Sequence, residues 1–175
     1  MEKIKLYLDT NIIYTYFMQK AKELKNKKRV PLPKVFKFLR KNKDVLEFYV
    51  SRLTEIEILR KLVTELNLNE NESVYLWDDF CKSLDCNLVE AEKINLSLLW
   101  DFIRSIVIKV PIKKRVTNLE HLGIASQFNI TFLTGDKEVL MKCKCFYHRI
   151  MSYIDLRKSL RHRNKDNYEE EERIR

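Results

Sequence analysis

Three acidic side chains occupy positions where an α/β fold commonly collects its functional groups. Asp9 and Asp136 each follow a short apolar run that predicts a β-strand, over residues 4–8 and 130–133. Glu57 lies about one and a half helical turns beyond the predicted strand over residues 45–50. Open parallel sheets bind ligands outside the carboxyl ends of their strands, and clustered carboxylates bind hard divalent cations. The spacing therefore favours a site for Mg²⁺ or Mn²⁺ at one edge of a sheet.

The two aspartates have an ordinary structural alternative. Asp9 and Asp136 each precede a predicted helix, where an aspartate commonly caps free backbone N–H groups and suits the positive end of the helix dipole. Taken singly, each position is more typical of a cap than of a metal ligand. The recurrence of acidic residues at comparable positions favours the metal site.

Glu57 has alternatives of its own: a solvent-facing ion pair with Arg60 or Lys61, or a capping box with Thr54. The neighbouring Glu55 also competes for the same role in the site. We select Glu57 because it lies at the border of an apolar helix face, which is formed by Leu53, Ile56 and Leu59.

Strands and helices are predicted to alternate along the chain. The predicted strands cover residues 4–8, 45–50, 86–89 and 130–133, and the predicted helices start near 12, 35, 53, 70, 96, 117 and 136. Such alternation is typical of a parallel sheet covered by helices on both faces. We expect one domain over residues 1–156, followed by a charged C-terminal tail over 157–175.

The net charge of the chain is relevant to the kind of molecule that it binds. A formal net charge of +9 attracts anionic polymers and is typical of nucleic-acid-binding proteins. It is equally typical of a lysine-rich protein surface that serves solubility alone. Composition does not separate these two interpretations.

The sequence has no features of a membrane or disulfide-rich protein. No apolar stretch approaches the roughly 20 residues of a membrane span, and the N-terminus is too polar for a signal peptide. We therefore expect a cytoplasmic protein with reduced cysteines. The spacings of the four cysteines do not match a structural zinc site, which is not predicted.

Four segments together resemble the PIN domain, a nuclease fold shared by toxin ribonucleases of toxin–antitoxin pairs and by ribosomal-RNA processing factors. They are LYLDTNIIY around Asp9, VSRLTEIEILRKL around Glu57, TNLEHLGIASQF around Asn118 and ITFLTGDKEVL around Asp136. The resemblance implies a three-layer PIN-like α/β fold. It also implies a metal-dependent endoribonuclease, with RNA as substrate, a possible antitoxin as protein partner, and a homodimer.

The resemblance also implies roles for individual residues. Asp9, Glu57 and Asp136 match acidic ligands of Mg²⁺ or Mn²⁺ and would be the catalytic residues. Thr134 would accompany Asp136, and Asn11 would lie beside Asp9. The metal ions would activate water for attack on a phosphodiester bond.

The third segment departs from the family. Asn118 stands where the family usually has an aspartate three residues before a histidine, here His121. An asparagine can offer a carbonyl oxygen to a metal, but it removes one negative charge and weakens Mg²⁺ affinity. Glu120 is a candidate substitute ligand, although it also fits a capping box with Thr117. We expect His121 to support the site rather than act as a base.

An acidic site repels RNA, so we expect cationic side chains beside it to hold the phosphate backbone. The candidates are Lys27, Lys28 and Arg29 in one loop and Lys113, Lys114 and Arg115 in another. The main alternative function is a non-catalytic PIN domain, weakened by Asn118, that binds RNA or a protein partner. A haloacid-dehalogenase-type phosphatase is set aside, because that chemistry requires an acid at the position of Asn11.

Overall fold

The computed structural model describes residues 2–110 and 116–161 and contains five strands. The strands are β1 (Ile4–Leu8), β2 (Leu46–Ser51), β3 (Asn87–Val89), β4 (Thr131–Leu133) and β5 (Ile150–Met151). The helices are α1 (Thr10–Asn26), α2 (Lys34–Lys41), α3 (Arg52–Thr64), α4 (Glu70–Leu84), α5 (Leu96–Lys109), α6 (Val116–Gln127) and α7 (Lys137–Lys142). A short 3₁₀ turn covers Ala91–Lys93, and residues 153–161 are helical.

The five strands form one parallel sheet in the order β3-β2-β1-β4-β5. Strand β1 is central, with Tyr7 paired to Tyr49 on one side and to Phe132 on the other. The predicted parallel α/β sheet is therefore confirmed. The sequence analysis missed β5, which is only two residues long and carries no periodic pattern.

Helices cover both faces of the sheet, because the side chains of β1 alternate between two hydrophobic cores. Leu6 and Leu8 pack into a core built mainly with helices α1 to α4. Tyr7 faces the opposite core, which is built mainly with α5, α6 and β4. All three side chains are fully buried. This arrangement confirms the predicted three-layer architecture.

The C-terminal helical segment extends past the predicted domain boundary at residue 156. Leu156 and Leu160 are both buried in the core that contains α1 to α4. The packed part of the chain therefore includes the start of the predicted tail. Residues 162–175 lie outside the described part of the structure.

None of the helices within residues 2–110 and 116–161 combines the length and apolar composition needed to cross a membrane.

Candidate functional site

The three predicted acidic residues lie at the carboxyl edge of the central strands. Asp9 directly follows β1 and is fully buried, and Asp136 follows β4 and is 4% exposed. Glu57 projects from the second turn of α3, which begins directly after β2, and its side chain is 21% exposed. Because β1 pairs with both β2 and β4, the fold gathers the three residues at adjacent strand ends.

Asp9 is held mainly by three side chains. Its carboxylate accepts hydrogen bonds from Thr10 Oγ1 at 3.2 Å, Asn11 Nδ2 at 2.6 Å and Thr134 Oγ1 at 2.5 Å. Although Asp9 occupies the N-cap position, it makes no side-chain capping hydrogen bond. Burial raises the pKa of Asp9, and the nearby His121 and the hydroxyl donors offset this only in part. The capping alternative therefore does not account for Asp9.

Glu57 shares one hydroxyl with Asp9. Its Oε2 accepts hydrogen bonds from Thr10 Oγ1 at 2.9 Å and from His121 Nε2 at 3.0 Å. Burial alone would raise the pKa of Glu57, but the hydrogen bond and charge of His121, helped by Thr10, hold that pKa below its usual range. Thr10 is thus a bridge between two of the carboxylates.

The alternatives for the α3 residues are decided by contacts. The capping box at the start of α3 is formed by Ser51 and Thr54, so the alternative of a Thr54–Glu57 capping box does not hold. Glu55 forms an ion pair with Arg52 at 2.6 Å. Glu57 therefore points toward Asp9 and His121, whereas Glu55 is occupied on the helix surface.

His121 connects Glu57 to the sheet through a buried chain of hydrogen bonds. Its Nδ1 lies 2.9 Å from the Tyr7 hydroxyl, which lies 2.6 Å from Ser51 Oγ. Because an ionised carboxylate can only accept hydrogen bonds, His121 Nε2 donates to an ionised Glu57. The pKa of Tyr7 is raised by burial, which keeps this hydroxyl protonated and able to donate. The chain therefore fixes the orientation of Glu57.

Asp136 acts as a cap and also faces Asn118. Its Oδ1 accepts from the backbone N–H groups of Glu138 and Val139 at the start of α7. Its Oδ2 accepts from Asn118 Nδ2 at 2.7 Å. Asp136 thus realises the capping alternative with one oxygen and contributes the other to the site. This second oxygen is therefore occupied by a hydrogen bond from the neutral Asn118 amide.

The turn between β4 and α7 is held against the start of α1. Asn11 Oδ1 accepts the Gly135 backbone N–H at 2.8 Å, and Thr134 Oγ1 accepts the Asp136 N–H at 3.0 Å. A Cβ added at Gly135 would lie 3.2 Å from Asn11 Oδ1, so glycine permits this close approach. The predicted companions Asn11 and Thr134 therefore join the two aspartates through direct contacts.

The donor set fits a hard divalent cation in its chemistry. Carboxylates, an amide and hydroxyls are the oxygen ligands that Mg²⁺ and Mn²⁺ accept. The side chains as placed do not form a coordination sphere, since residues 2–110 and 116–161 contain no group of three His, Cys, Asp or Glu that could hold a metal ion. Neutral donors occupy the oxygens instead.

The predicted basic residues are not gathered beside the carboxylates. Helix α1 starts at the Asp9 edge and runs for 17 residues, so Lys27, Lys28 and Arg29 lie about 25 Å along it from Asp9. Their predicted position beside the acidic site is therefore wrong. Residues 113–115, which include Lys113, Lys114 and Arg115, lie outside the described part of the structure.

Glu120 is half-buried on α6, and no hydrogen bond or ion pair among the described residues joins it to the three acidic residues. Its predicted role as a substitute ligand stays a prediction.

Sequence reasoning did not select Thr10 and Tyr7. Thr10 bridges Asp9 and Glu57, and Tyr7 holds His121. Thr10 sits inside the LDTN motif, so the motif itself carried a signal that was not used. Tyr7 has the one buried polar side-chain group of β1, and such a group requires a hydrogen-bond partner in the core.

Two solved structures are similar to this chain. One is the crystal structure of VapBC2 from Rickettsia felis bound to a DNA fragment from their promoter, with 12% identity over 84% of this chain and 97% of that chain, and a TM-score of 0.59. The other is DNA-bound VapBC from Salmonella typhimurium, with 15% identity, 86% and 98% coverage, and a TM-score of 0.55. No family model and no curated protein matches the sequence.

The toxins of VapBC toxin–antitoxin complexes are PIN-domain proteins. The likeness extends over nearly the full length of both compared chains, and the sheet has the parallel architecture expected from the four sequence segments. The chain therefore has the PIN-like fold, a small parallel sheet covered by helices on both faces.

Proposed function

We propose that this protein is a metal-dependent endoribonuclease of the PIN type and the toxin of a toxin–antitoxin pair. The observation that carries the proposal is the placement of Asp9, Glu57 and Asp136 at adjacent strand ends, joined through the Thr10 and Thr134 hydroxyls. A parallel sheet binds ligands at this edge. Ordinary packing does not require three acidic side chains there.

Asp9 and Glu57, with Asp136 and Asn118, would hold Mg²⁺ or Mn²⁺. When bound, such an ion supplies a water of lowered pKa for attack on a phosphodiester and stabilises the leaving oxygen. Asn118 would have to present its Oδ1 in place of the Nδ2 that now donates to Asp136. Asp9, Glu57 and Asp136 would provide the negative charge.

The protein's own contribution is to hold these oxygens in place. Thr10 Oγ1 hydrogen-bonds to both Asp9 and Glu57 and so fixes their spacing, and His121 Nε2 makes a second hydrogen bond to Glu57 Oε2. Asn11 Nδ2 and Thr134 Oγ1 both donate to Oδ2 of Asp9. Because these donors are supported by the sheet and by helix starts, the carboxylates keep their orientation without substrate.

The partners follow from the same proposal. The substrate would be RNA, the protein partner an antitoxin, and the assembly a homodimer in the cytoplasm. The two similar solved structures are toxin–antitoxin complexes, which supports an antitoxin as partner.

One observation favours a second candidate, a non-catalytic PIN domain that binds RNA or a protein. Asn118 stands where the family usually has an aspartate, and its amide donates a hydrogen bond to Asp136. The position therefore supplies a neutral donor instead of a further carboxylate. In this case the same edge would be a hydrogen-bonded structural network. The two candidates differ in whether a divalent cation binds there.

The test is cleavage of a mixed, labelled single-stranded RNA by the purified protein with Mn²⁺, with Mg²⁺ or with EDTA. The nuclease proposal predicts cleavage that requires the metal and disappears in Asp9→Asn. RNA binding without cleavage under any metal condition would contradict it and support the non-catalytic candidate.

A further inference from the structure

The positive charge of the chain is concentrated in one segment. Residues 25–43, here called the basic segment, contain nine of the chain's 34 lysines and arginines and no acidic residue. The other 25 cations are matched in number by the chain's 25 acidic residues. The net charge of +9 is therefore the charge of this segment. An even distribution that serves only solubility would not produce this pattern.

The structure folds the basic segment around a cleft of about 420 Å³. The cleft is lined by Arg29, Val30, Pro31, Leu32, Lys37 and Arg40. Arg29 comes from the loop after α1, and Lys37 and Arg40 project from α2, three residues apart on the helix. All three cations are exposed, and no ion pair links any of them to another described residue. The cleft thus has three available cations and no acidic lining residue.

The base of the cleft is held firmly. Phe36 and Leu39 on the opposite side of α2 are buried, and the Phe36 ring stacks on Tyr16 of α1. Phe38 contacts the ring of Tyr153 in the C-terminal helix. Because α2 is anchored on its apolar face, its cations are presented on a fixed surface rather than on a flexible loop.

The cleft is separate from the carboxylate edge. Helices α1 and α3 both begin at that edge, and Lys25 near the end of α1 donates to the Leu66 carbonyl just beyond the end of α3. The start of the basic segment, including Arg29, therefore lies about 25 Å from Asp9 along α1, and none of the residues that line the cleft belongs to the carboxylate edge. A phosphate bound in the cleft would not be the phosphate at the carboxylates.

The chemistry of the cleft favours a phosphodiester backbone. Guanidinium groups bind phosphate oxygens in a bidentate manner, and an extended anion satisfies several cations at once. A membrane surface or an amphipathic partner helix would require exposed apolar anchors. The large exposed hydrophobic side chains of the described residues include none within the basic segment.

We infer that the Arg29–Lys37–Arg40 cleft is a second nucleic-acid site, which binds the phosphodiester backbone of an RNA at a distance from the carboxylates. The choice of RNA rests on the proposed function, whereas the backbone chemistry does not.

The test measures binding in EDTA, where cleavage cannot contribute. The probes are a single-stranded RNA of about 30 nucleotides and a DNA duplex of the same length, each titrated at several salt concentrations. Replacing Arg29, Lys37 and Arg40 by alanine should weaken RNA binding at least about tenfold. It should also reduce the slope of log K against log salt by about 2, because each lost phosphate contact on a single strand removes about 0.7.

The charge-matched control replaces Arg104, Lys109 and Lys144, which are exposed on the other side of the sheet, and should leave the slope unchanged. A second variant, Arg29→Lys with Arg40→Lys, keeps the charge and should retain the salt slope, which separates charge from folding. Wild-type affinity and slope in the alanine variant would overturn the inference, as would equal losses in the control. Binding to DNA alone would overturn the assignment to RNA.

The result is independent of the catalytic proposal. If the wild-type protein fails to cleave RNA with Mn²⁺ but shows this salt-dependent binding, the nuclease proposal fails and the inference that the cleft binds RNA still holds.

Discussion

The carboxylate edge and the basic segment carry opposite charges in opposite environments. At the carboxylate edge, Asp9 and Asp136 are buried and every contact described above comes from a neutral donor or from His121. In the basic segment, the cations of the Arg29–Lys37–Arg40 cleft are exposed and lack ion pairs among the described residues.

The charges of the two regions act in different ways. Buried carboxylates fixed by hydrogen bonds define a geometry, and their interactions are poorly screened by salt. Exposed cations provide attraction over a Debye length, about 8 Å at physiological ionic strength, and lose it as salt rises. The carboxylate edge therefore suits chemistry, and the basic segment suits capture of a polyanion.

Restoring the family carboxylate should change the acidic edge most. Asn118→Asp replaces a donor to Asp136 at 2.7 Å with a second negative charge. We expect a lower melting temperature in EDTA and Mn²⁺ affinity at least about tenfold tighter, because an added carboxylate strengthens a hard-cation site. Thermal unfolding and calorimetric Mn²⁺ titration measure the two effects.

The control is Asn71→Asp, which adds the same charge at an exposed position in the first turn of α4. It should leave Mn²⁺ affinity unaltered. Equal Mn²⁺ affinity in Asn118→Asp and the wild type would show that the edge does not bind the cation.

Removing the Tyr7 hydroxyl should have the next largest effect. Tyr7→Phe leaves His121 Nδ1 and Ser51 Oγ without this buried partner, and should destabilise the fold by about 1–3 kcal/mol. Because His121 positions Glu57, we also expect metal-dependent cleavage to fall about tenfold. Urea unfolding and cleavage at saturating Mn²⁺ measure the two.

Tyr147→Phe is the matched control. The Tyr147 hydroxyl is also buried, in the same core as Tyr7, and donates to the Ile130 carbonyl at 2.8 Å, just before the start of β4. It should lose stability and keep its cleavage rate. If both variants lose activity in proportion to stability, Tyr7 has no specific effect on Glu57.

Asp9 and Glu57 should respond to pH in opposite directions when the metal is chelated. The pKa of Asp9 is raised, so its ionised form costs stability, and that cost vanishes as pH falls below its ordinary pKa of 3.8. The pKa of Glu57 is lowered, so its contribution is present above its ordinary pKa of 4.5 and is lost as pH falls through the lowered value.

At neutral pH in EDTA, Asp9→Asn should therefore be more stable than the wild type and Glu57→Gln less stable, each by about 1 kcal/mol. Both differences should shrink toward zero in strong acid. Chemical unfolding across a pH series measures them. Destabilisation by Asp9→Asn that persists unchanged into acid would contradict the assigned effect of burial.

Glu120→Gln should have the smallest effect. Glu120 makes no contact with the three acidic residues among the described residues, so Mn²⁺ affinity should stay within about twofold of the wild type. A tenfold loss, as expected for Asp136→Asn, would instead place Glu120 among the metal ligands.

Local patterns in the sequence predicted the elements well. Strand β1 begins and ends as predicted, and Asp136 caps α7 as its position before a helix suggests. Glu57 was preferred to Glu55 from an apolar helix face, and the structure turns Glu57 toward Asp9 and His121. These features depend on neighbours within one or two turns, which a single sequence contains.

The non-local contacts could not be predicted in the same way. The expectation that Lys27–Arg29 lies beside the acidic site failed because it ignored the length and direction of α1, which carries the chain to the other edge. The bridge made by Thr10 depends on the approach of α3 to α1, which the sheet order determines. The Tyr7–His121 contact joins residues 114 positions apart in the chain.

The most direct test of the account measures cleavage and binding of the same RNA by the wild type and Asp9→Asn. Single-turnover cleavage in Mn²⁺ should fall more than about a hundredfold in Asp9→Asn, whereas RNA affinity in EDTA should stay within about threefold. This result would place chemistry at the carboxylate edge and capture elsewhere. Equal cleavage rates would contradict the assignment of Asp9 to the site.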